Sequence, residues 1–314
     1  MPNSLSARTW VIAATGLAPL TWGSTYAVTT EFLPPDRPLF TGLVRALPAG
    51  LVLLGIARTL PRGQWWWRSA VLGLLNIGAF FPLLFFAAYR LPGGVAAVLN
   101  AGAPLFAAVF ALVLLAERVS ARTLLAGFAG VLGVALVVLR GDAHLDLLGV
   151  LAGAAGTASM SAGTVMTKRW GRPPCTSVLT MSGWQLTAGG VFLLPVALLV
   201  EGAPPALDGR AITGYLYLAL VNTALAYWLW LRGIGRLPAT SVSFLGLLSP
   251  LSATLIGWVA LGQALTPLQI AGMVVAFGST IVGQAVAGRR SPVRSVPVAA
   301  RGGTGVTNEP VNGR

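Results

Sequence analysis

The sequence predicts an all-α integral membrane protein with ten transmembrane helices, arranged as two five-helix repeats of inverted topology. Three observations support this fold class. The composition is 55% hydrophobic and only 9% charged, with a mean hydropathy of +0.79. The apolar residues fall in runs of about 20, the length that crosses ~30 Å of hydrocarbon. Residues 71–120 also align without a gap with residues 217–266, so that Asn76 matches Asn222 and Pro104 matches Pro250.

The composition excludes several classes of protein. A soluble domain needs roughly a quarter of its residues charged, so we expect nearly the whole chain to be embedded. The formal net charge of +13 does not indicate a nucleic-acid binder, because the basic residues are spread between apolar runs rather than clustered on one face. The single cysteine, Cys175, permits no internal disulfide. The first apolar run lacks a clear cleavage site and is interpreted as a retained span.

Ten apolar segments are predicted as spans. Their approximate bounds are 10–30, 39–57, 69–89, 95–115, 123–139, 147–167, 176–200, 212–231, 239–261 and 267–287. These spans should be helical, because in a bilayer only a helix satisfies its backbone hydrogen bonds within one segment. Residues 10–139 form the first repeat and residues 147–287 the second. Residues 288–314 lose all hydrophobic periodicity and are predicted to be a disordered, basic cytoplasmic tail.

The distribution of basic residues predicts the orientation of the chain. One side of the membrane collects most of them, namely Arg8, Arg58, Arg62, Arg68, Arg118, Arg122, Lys168, Arg169, Arg172, Arg232, Arg236 and the tail arginines. The other side has four arginines, at 37, 90, 140 and 210, and most of the acids. The positive-inside rule therefore places both termini in the cytoplasm. Because each repeat has five spans, the second copy must enter the membrane from the opposite side, which makes the topology inverted.

Several segments resemble the EamA-type drug/metabolite transporters. Leu20-Thr21-Trp22-Gly23-Ser24-Thr25-Tyr26 resembles their first span, and Pro38 with Arg45 resembles their second. Pro104 through Ser120, and its copy Pro250 through Thr266, resemble the junction that follows their fourth span. The resemblance covers about residues 10–287 and implies the family's ten-helix, two-repeat plan. The resemblance is specific for the superfamily, but it gives little indication of the substrate.

Two features depart from that family's pattern. Gln263 stands opposite Glu117 where the second repeat commonly carries an acid, and no Asp or Glu falls in the middle third of any span. A proton relay through buried carboxylates is therefore not expected. Facilitated export, or coupling through the interfacial Glu31, remains open.

We expect a secondary transporter that exports a small organic metabolite, amino acid or drug across the bacterial inner membrane by alternating access. A non-transporting receptor or assembly protein on the same scaffold is the alternative. An enzyme is not expected, because the spans offer neither a nucleophile with a base nor paired buried carboxylates. No cofactor, metal cluster or phosphate cradle is indicated. The expected partners are a small-molecule substrate and membrane lipid, not nucleic acid, and a homodimer is allowed.

The candidate substrate-binding residues are polar or aromatic groups within the spans, namely Trp22, Tyr26, Arg45, Asn76, Asn100, Trp184, Gln185, Asn222 and Tyr227. An amide in hydrocarbon costs several kcal/mol unless it is hydrogen-bonded, so the asparagines either line a cavity or join helices. Arg45 is either the counter-charge of a substrate carboxylate or of Glu31, or an outer-gate or snorkelling residue. The aromatic rings suit an apolar substrate and also suit helix packing.

Pro104 and Pro250 are candidate helix breaks that gate a pathway. Each proline removes a backbone donor and disturbs the preceding turn, which frees a carbonyl. Matched breaks in corresponding helices of two repeats are typical of transporter sites. A structural kink without a gating role is the alternative.

Overall fold

Helices form the regular structure of the residues that the structure describes. The computed structural model describes residues 4–90, 93–117, 119–138, 146–262 and 264–288. Within these ranges the α-helices are α1 (Ser4–Gly23), α2 (Thr25–Phe32), α3 (Pro38–Ala57), α4 (Trp65–Gly73), α5 (Phe80–Arg90), α6 (Gly93–Ala101), α7 (Ala103–Leu115), α8 (Ala121–Val138), α9 (Leu147–Trp170), α10 (Val178–Glu201), α11 (Gly209–Ala219), α12 (Ala226–Ile234), α13 (Ala239–Leu245), α14 (Leu248–Leu261) and α15 (Pro267–Gly288). Two π-helices join them, π1 (Leu74–Gly78) and π2 (Leu220–Leu225). The predicted tail beyond residue 288 lies outside the described residues.

Nine helical stretches among the described residues are long and apolar enough to cross a membrane. They are Pro38–Ala57, Trp65–Leu84, Ala97–Leu115, Ala121–Val138, Leu147–Trp170, Val178–Glu201, Gly209–Ile234, Ala239–Ala260 and Pro267–Ala287. These stretches agree with predicted spans two to ten. The first predicted span is not among these stretches, and it is divided at Ser24 into the 20-residue α1 and the short α2. The count of ten therefore stays a prediction.

Three long helices begin with a side-chain cap. Asp146, Ser177 and Asp208 precede α9, α10 and α11, and the side-chain oxygen of each accepts a hydrogen bond from the backbone N–H three residues later, at 2.7–3.1 Å. Such caps satisfy donors that the first helical turn leaves free. The sequence thus sets the start of these helices locally.

The α3 helix receives its cap from another helix. Its preceding residue is Arg37, which offers no side-chain acceptor. Instead, the Glu201 carboxylate at the end of α10 accepts from the backbone N–H of Leu39 at 2.6 Å and of Phe40 at 2.8 Å. The negative charge also lies at the positive end of the helix dipole. This contact fixes the start of α3 against the end of α10.

Replacing Glu201 with alanine should therefore lower the free energy of unfolding by about 1–2 kcal/mol, the usual range for a lost cap. Glu31→Ala is the matched control, because Glu31 forms an exposed pair with Arg210 at 3.5 Å, and such pairs contribute ~0–1 kcal/mol. Denaturant titration in detergent micelles measures both. An equal effect of the two substitutions would contradict the capping role.

Glycines allow the close helix contacts of the bundle. A Cβ on Gly133 of α8 would lie 2.5 Å from the backbone nitrogen of Ala276 on α15, and one on Gly272 would lie 2.6 Å from the carbonyl of Gly133. A Cβ on Gly50 of α3 would lie 2.4 Å from the backbone nitrogen of Thr187 on α10. Small residues of this kind let helix backbones approach in membranes. The pairs α8–α15 and α3–α10 are the result, and each pair joins the first half of the chain to the second.

The ends of the bundle differ in charge. At one end, here called the acidic end, Glu31 meets Arg210, Glu201 meets the start of α3, and Arg90 pairs with Asp146 at 3.2 Å. At the other, the basic end, the ring of Trp67 packs on that of Trp170, and Nζ of Lys168 donates to the carbonyl of Leu237 at 2.5 Å. These contacts connect neighbouring loops at each end of the bundle. Which end faces the cytoplasm stays a prediction.

Candidate functional site

The two π-helices lie at matched positions in the chain. π1 begins at Leu74 and π2 at Leu220, 146 positions later, and they contain Asn76 and Asn222 respectively. In a π turn the α-helical hydrogen bonds between residues four apart are replaced by bonds between residues five apart. Such turns occur frequently at functional sites. Side chains from elsewhere bond the asparagine carbonyls. Nε1 of Trp22 donates to the carbonyl of Asn222 at 2.9 Å, and the hydroxyl of Tyr227 donates to that of Asn76 at 3.5 Å.

The Asn222 side chain is fully buried and uses both ends of its amide. Its Nδ2 donates to the carbonyl of Thr21 at 2.8 Å and to Oγ of Ser24 at 3.1 Å. Its Oδ1 accepts from Oγ1 of Thr25 at 3.1 Å and from a guanidinium nitrogen of Arg45 at 3.4 Å. This asparagine therefore joins the broken first span, α3 and π2.

The same bonds explain the break between α1 and α2. Ser24 interrupts the helix, and its hydroxyl bonds the carbonyl of Thr21, the amide of Asn222 and, at 2.9 Å, the hydroxyl of Tyr217. Backbone groups released by the break are thus satisfied by polar side chains of the second half, as a membrane interior requires.

Arg45 lies in the centre of this polar group. Only 6% of it is exposed. Its Nε donates to Oγ1 of Thr223 at 3.2 Å, and its carbon Cζ lies 5.2 Å from the centre of the Phe81 ring, a cation–π distance. The ion pairs within the described residues are Arg90–Asp146 and Arg210–Glu31. The partners of the Arg45 guanidinium are therefore neutral groups.

Aromatic rings close one side of the site. The Trp22 ring centre lies 5.6 Å from that of Tyr227 and 5.1 Å from that of Trp230, and both contacts are tilted. Tyr227 is 4% exposed and belongs to the same hydrophobic cluster as Phe81, with Trp22 packed against it. The polar groups therefore have an apolar wall beside them.

Asn76 and Gln185 form a second group of buried polar side chains. Nδ2 of Asn76 donates to Oε1 of Gln185 at 3.1 Å. Gln185 is 2% exposed, and its Nε2 has no hydrogen-bond partner among the described residues. Gly163 of α9 lies directly against the Asn76 amide, since a Cβ there would be 2.3 Å from Oδ1.

The structure thus brings together six of the predicted residues, namely Trp22, Arg45, Asn76, Gln185, Asn222 and Tyr227. We call these six the central polar site. The candidate roles of the individual residues in binding stay predictions.

Other predicted residues lie apart from it. Oδ1 of Asn100 accepts from Oγ1 of Thr157 at 3.1 Å, which ties α6 to α9. Trp184 lies towards the basic end, where Nε1 donates to the carbonyl of Thr59 at 2.8 Å and the ring lies 6.2 Å from that of Trp65. The side chain of Tyr26 lies outside the described part of the structure.

The helical pattern is interrupted shortly before Pro104 and shortly before Pro250. Gly102 separates α6 from α7 just before Pro104, and residues 246–247 separate α13 from α14 before Pro250. Proline cannot donate to the residue four positions earlier, so short i→i−3 bonds replace the helical pattern there. Ala101, Leu247 and Leu251 pack in one hydrophobic cluster beside the breaks. Their role in gating stays a prediction.

Sequence analysis alone did not identify two residues that contact Arg45 in the central polar site, Thr223 and Phe81. Thr223 follows Asn222 directly, and Phe81 is the counterpart of Tyr227 at the 146-residue offset. That offset is the signal that could have identified Phe81. The described residues contain no group of three or more His, Cys, Asp or Glu side chains able to hold a metal.

Several known proteins are similar to this chain in sequence. A model of the EamA-like transporter family matches residues 9–139 and 147–282. Protein PecM of Dickeya dadantii (strain 3937) is 44% identical over 279 residues, which cover 88% of this chain and 94% of that protein. The probable terminal-alkyne amino-acid exporter of Streptantibioticus cattleyicolor is 26% identical over 299 residues, 91% of this chain and 96% of that one.

Two further comparisons extend the agreement. The probable amino-acid metabolite efflux pump of Salmonella typhimurium is 28% identical over 212 residues, 64% of this chain and 70% of that one. A solved crystal structure that is 19% identical superposes with a TM-score of 0.76, covering 90% of this chain and 98% of that chain. The fold is therefore shared with a known structure, and the chain belongs to the EamA-like transporter family of multi-pass membrane transporters.

Proposed function

We propose that this protein is a secondary transporter that exports a small organic metabolite, amino acid or drug across the bacterial inner membrane by alternating access. The observation that carries the proposal is the central polar site. It holds a buried guanidinium and three buried amides, and it is built from both halves of the chain. A transporter of two repeats binds its substrate at such a shared site and opens it to each side in turn.

The hydrogen bonds of the two halves follow one pattern, which supports an inverted repeat. In one direction, Trp22 of α1 and Arg45 of α3 bond to π2. In the other direction, Ser159 of α9 donates to the carbonyl of Leu75 at 2.9 Å, and Gln185 of α10 bonds Asn76. In both cases the first two spans of one half bond the third span of the other. The same contacts, exchanged between halves, can serve the outward and inward states.

The charge distribution supports the direction of the chain in the membrane. We assign the acidic end to the outside and the basic end to the cytoplasm, following the positive-inside rule. Both termini are then cytoplasmic. The names of two relatives, an efflux pump and an exporter, favour outward transport of an amino acid or a related metabolite. A receptor with the same scaffold would bind its ligand without net flux, so flux separates the two functions.

Counterflow in proteoliposomes tests the proposal. We expect saturable uptake of at least one labelled metabolite, and we expect Arg45→Ala to reduce its initial rate by about tenfold or more at equal protein amount, since a hydrogen bond to a charged group contributes ~1.5–3 kcal/mol. Arg68→Gln is the matched control, because Arg68 packs among Trp65, Trp67 and Trp170 at the basic end. Saturable binding without counterflow would assign the chain to the receptor class.

A further inference from the structure

We propose that the central polar site recognises its substrate through a carboxylate group, with Arg45 as the counter-charge and Gln185 as a second donor. The apolar part of the substrate then lies against the aromatic wall formed by Trp22, Tyr227 and Phe81. This inference rests on the proposed function, because it assigns the substrate class of the same site.

The charge at the site is unbalanced. A buried cation is costly unless it is paired and fully hydrogen-bonded. Arg45 donates from Nε to Thr223 and from Nη2 to Asn222, and both acceptors are neutral side chains. The cation–π contact with Phe81 holds the guanidinium in place but adds no negative charge. A carboxylate is the planar anion that matches the two parallel N–H groups of a guanidinium.

The acids of the described chain are all occupied elsewhere or lie at the ends. Glu31 pairs with Arg210, Glu201 caps α3, and Asp208 caps α11. Asp146 caps α9 and pairs with Arg90. Asp36 lies in the α2–α3 loop and Glu117 follows α7. A purely cationic substrate would therefore find no counter-charge among the described residues of the site.

Gln185 supplies a second, independent indication of a ligand. Its Nε2 is buried without a partner in the described structure, while its Oε1 is held by Asn76. A buried donor without an acceptor is destabilising, and a substrate acceptor would remove that cost. Asn76 also accepts, through its carbonyl, the hydroxyl of Tyr227, whose ring packs on Trp22. Gln185 is thus connected to the aromatic wall, and through it to Arg45.

Carboxylate binding would also change the contact between the halves. The Arg45–Asn222 bond joins α3 of the first half to π2 of the second, and at 3.4 Å it is the longest bond of the Asn222 side chain. A carboxylate that takes Nη1 and Nη2 replaces this bond with a stronger, charge-assisted one. Asn222 keeps its bonds to α1 and the break at Ser24. Binding would therefore remove the Arg45–Asn222 bond between α3 and π2, while the bond from Nε of Arg45 to Thr223 still joins these two elements and π2 stays attached to α1.

Four matched probes test the carboxylate assignment on the purified full-length protein in detergent. They are 3-phenylpropanoate, its neutral amide 3-phenylpropanamide, phenylalanine and phenethylamine. The change in intrinsic tryptophan fluorescence reports binding, and thermal shift gives a second readout. We expect the two carboxylates to bind about tenfold or more tightly than the amide and the amine, the factor that one charge-assisted bond of ~1.4 kcal/mol supplies.

Arg45→Gln should remove this preference while the amide binds as before, and Arg45→Lys should keep part of it. Gln185→Leu should weaken both carboxylates by a smaller factor. Arg68→Gln should leave the preference unchanged. The comparison of acid with amide on the unmodified protein needs no variant, so a folding defect of Arg45→Gln does not affect it.

Equal or weaker binding of the carboxylates relative to the amide overturns the assignment, and so does an acid preference that survives Arg45→Gln. The proposed function and the carboxylate assignment can be rejected independently of each other. Carboxylate binding that depends on Arg45 but gives no counterflow would retain this inference and reject transport. Counterflow of neutral or cationic compounds that Arg45→Gln leaves unchanged would retain transport and reject the inference.

Discussion

Replacing Asn222 with leucine is expected to lower the free energy of unfolding by about 2–3 kcal/mol and to abolish transport. Leucine has a similar volume, so the loss comes from hydrogen bonds rather than from a cavity. The amide makes four side-chain bonds, which connect it to the first span and to Arg45. At ~0.6 kcal/mol for each interhelical bond in a membrane, four bonds give about 2.4 kcal/mol.

Asn76→Leu is the matched comparison. Asn76 is the sequence counterpart of Asn222, but its side chain makes one such bond, to Gln185. We therefore expect a loss of only ~0.6–1 kcal/mol. Unfolding of both variants in mixed micelles of detergent and sodium dodecyl sulfate gives the difference. Equal losses would show that the Asn222 contacts do not carry the stability that the geometry indicates.

Asn222→Asp separates structure from chemistry. An aspartate keeps the acceptor for Thr25 and places a carboxylate beside Arg45, while it loses the donation to the carbonyl of Thr21. If Arg45 binds a substrate carboxylate, the new acid pairs with Arg45 in place of the substrate. The substitution should then inhibit transport more than it lowers stability. Transport that falls only in proportion to the folded fraction would argue for a purely structural Asn222.

Replacing Gly163 with alanine is expected to lower the free energy of unfolding by about 1–3 kcal/mol, the usual cost of an overpacked core. The new methyl group would lie 2.3 Å from Oδ1 and 2.6 Å from Cγ of Asn76. The amide has to turn away, which breaks its bond to Gln185 and leaves both ends of the Gln185 amide unpaired. One methyl group on α9 thus disturbs the central polar site without touching a charged residue.

Gly278→Ala is the matched control, since it is a helix glycine in α15 with no atom within 4 Å of the added Cβ. Removing a glycine from a helix gains up to about 1 kcal/mol, so this variant should be neutral or more stable. A second test adds Asn76→Ala to Gly163→Ala. Because Asn76→Ala removes the clashing amide, the double variant should lose less unfolding free energy than the sum of the losses of the two single variants. If the losses of the two single variants simply add in the double variant, the cost of Gly163→Ala does not come from the clash with Asn76.

The helical spans were largely predictable because apolarity and length are local properties. Nine stretches agree with the prediction, and the caps at Asp146, Ser177 and Asp208 explain three of their starts. The break at Ser24 was not predicted. The carbonyl of Thr21 at the break accepts a hydrogen bond from Asn222, about 200 positions away, and a local pattern carries no information on such partners.

Part of the site was also predictable from the local sequence. Arg45 and Asn222 are rare residues in an apolar span, so their burial with partners follows from the cost of leaving them unpaired. The π-helices, by contrast, depend on tertiary bonds to Asn76 and Asn222. Trp184 and Gln185 are adjacent in sequence yet face different surroundings, because the rotation of α10 is set by its close packing on α3.

The packing of α3 on α10 has a consequence for how the molecule can move. Glu201 bonds the start of α3, Gly50 brings its middle against the Thr187 backbone, and Gly190 lies against Leu47. Neither helix can slide along the other without breaking these contacts. We therefore expect the two helices to move as one unit that carries Arg45 and Gln185 together. Any opening of the site would then require the surrounding helices to swing about this unit.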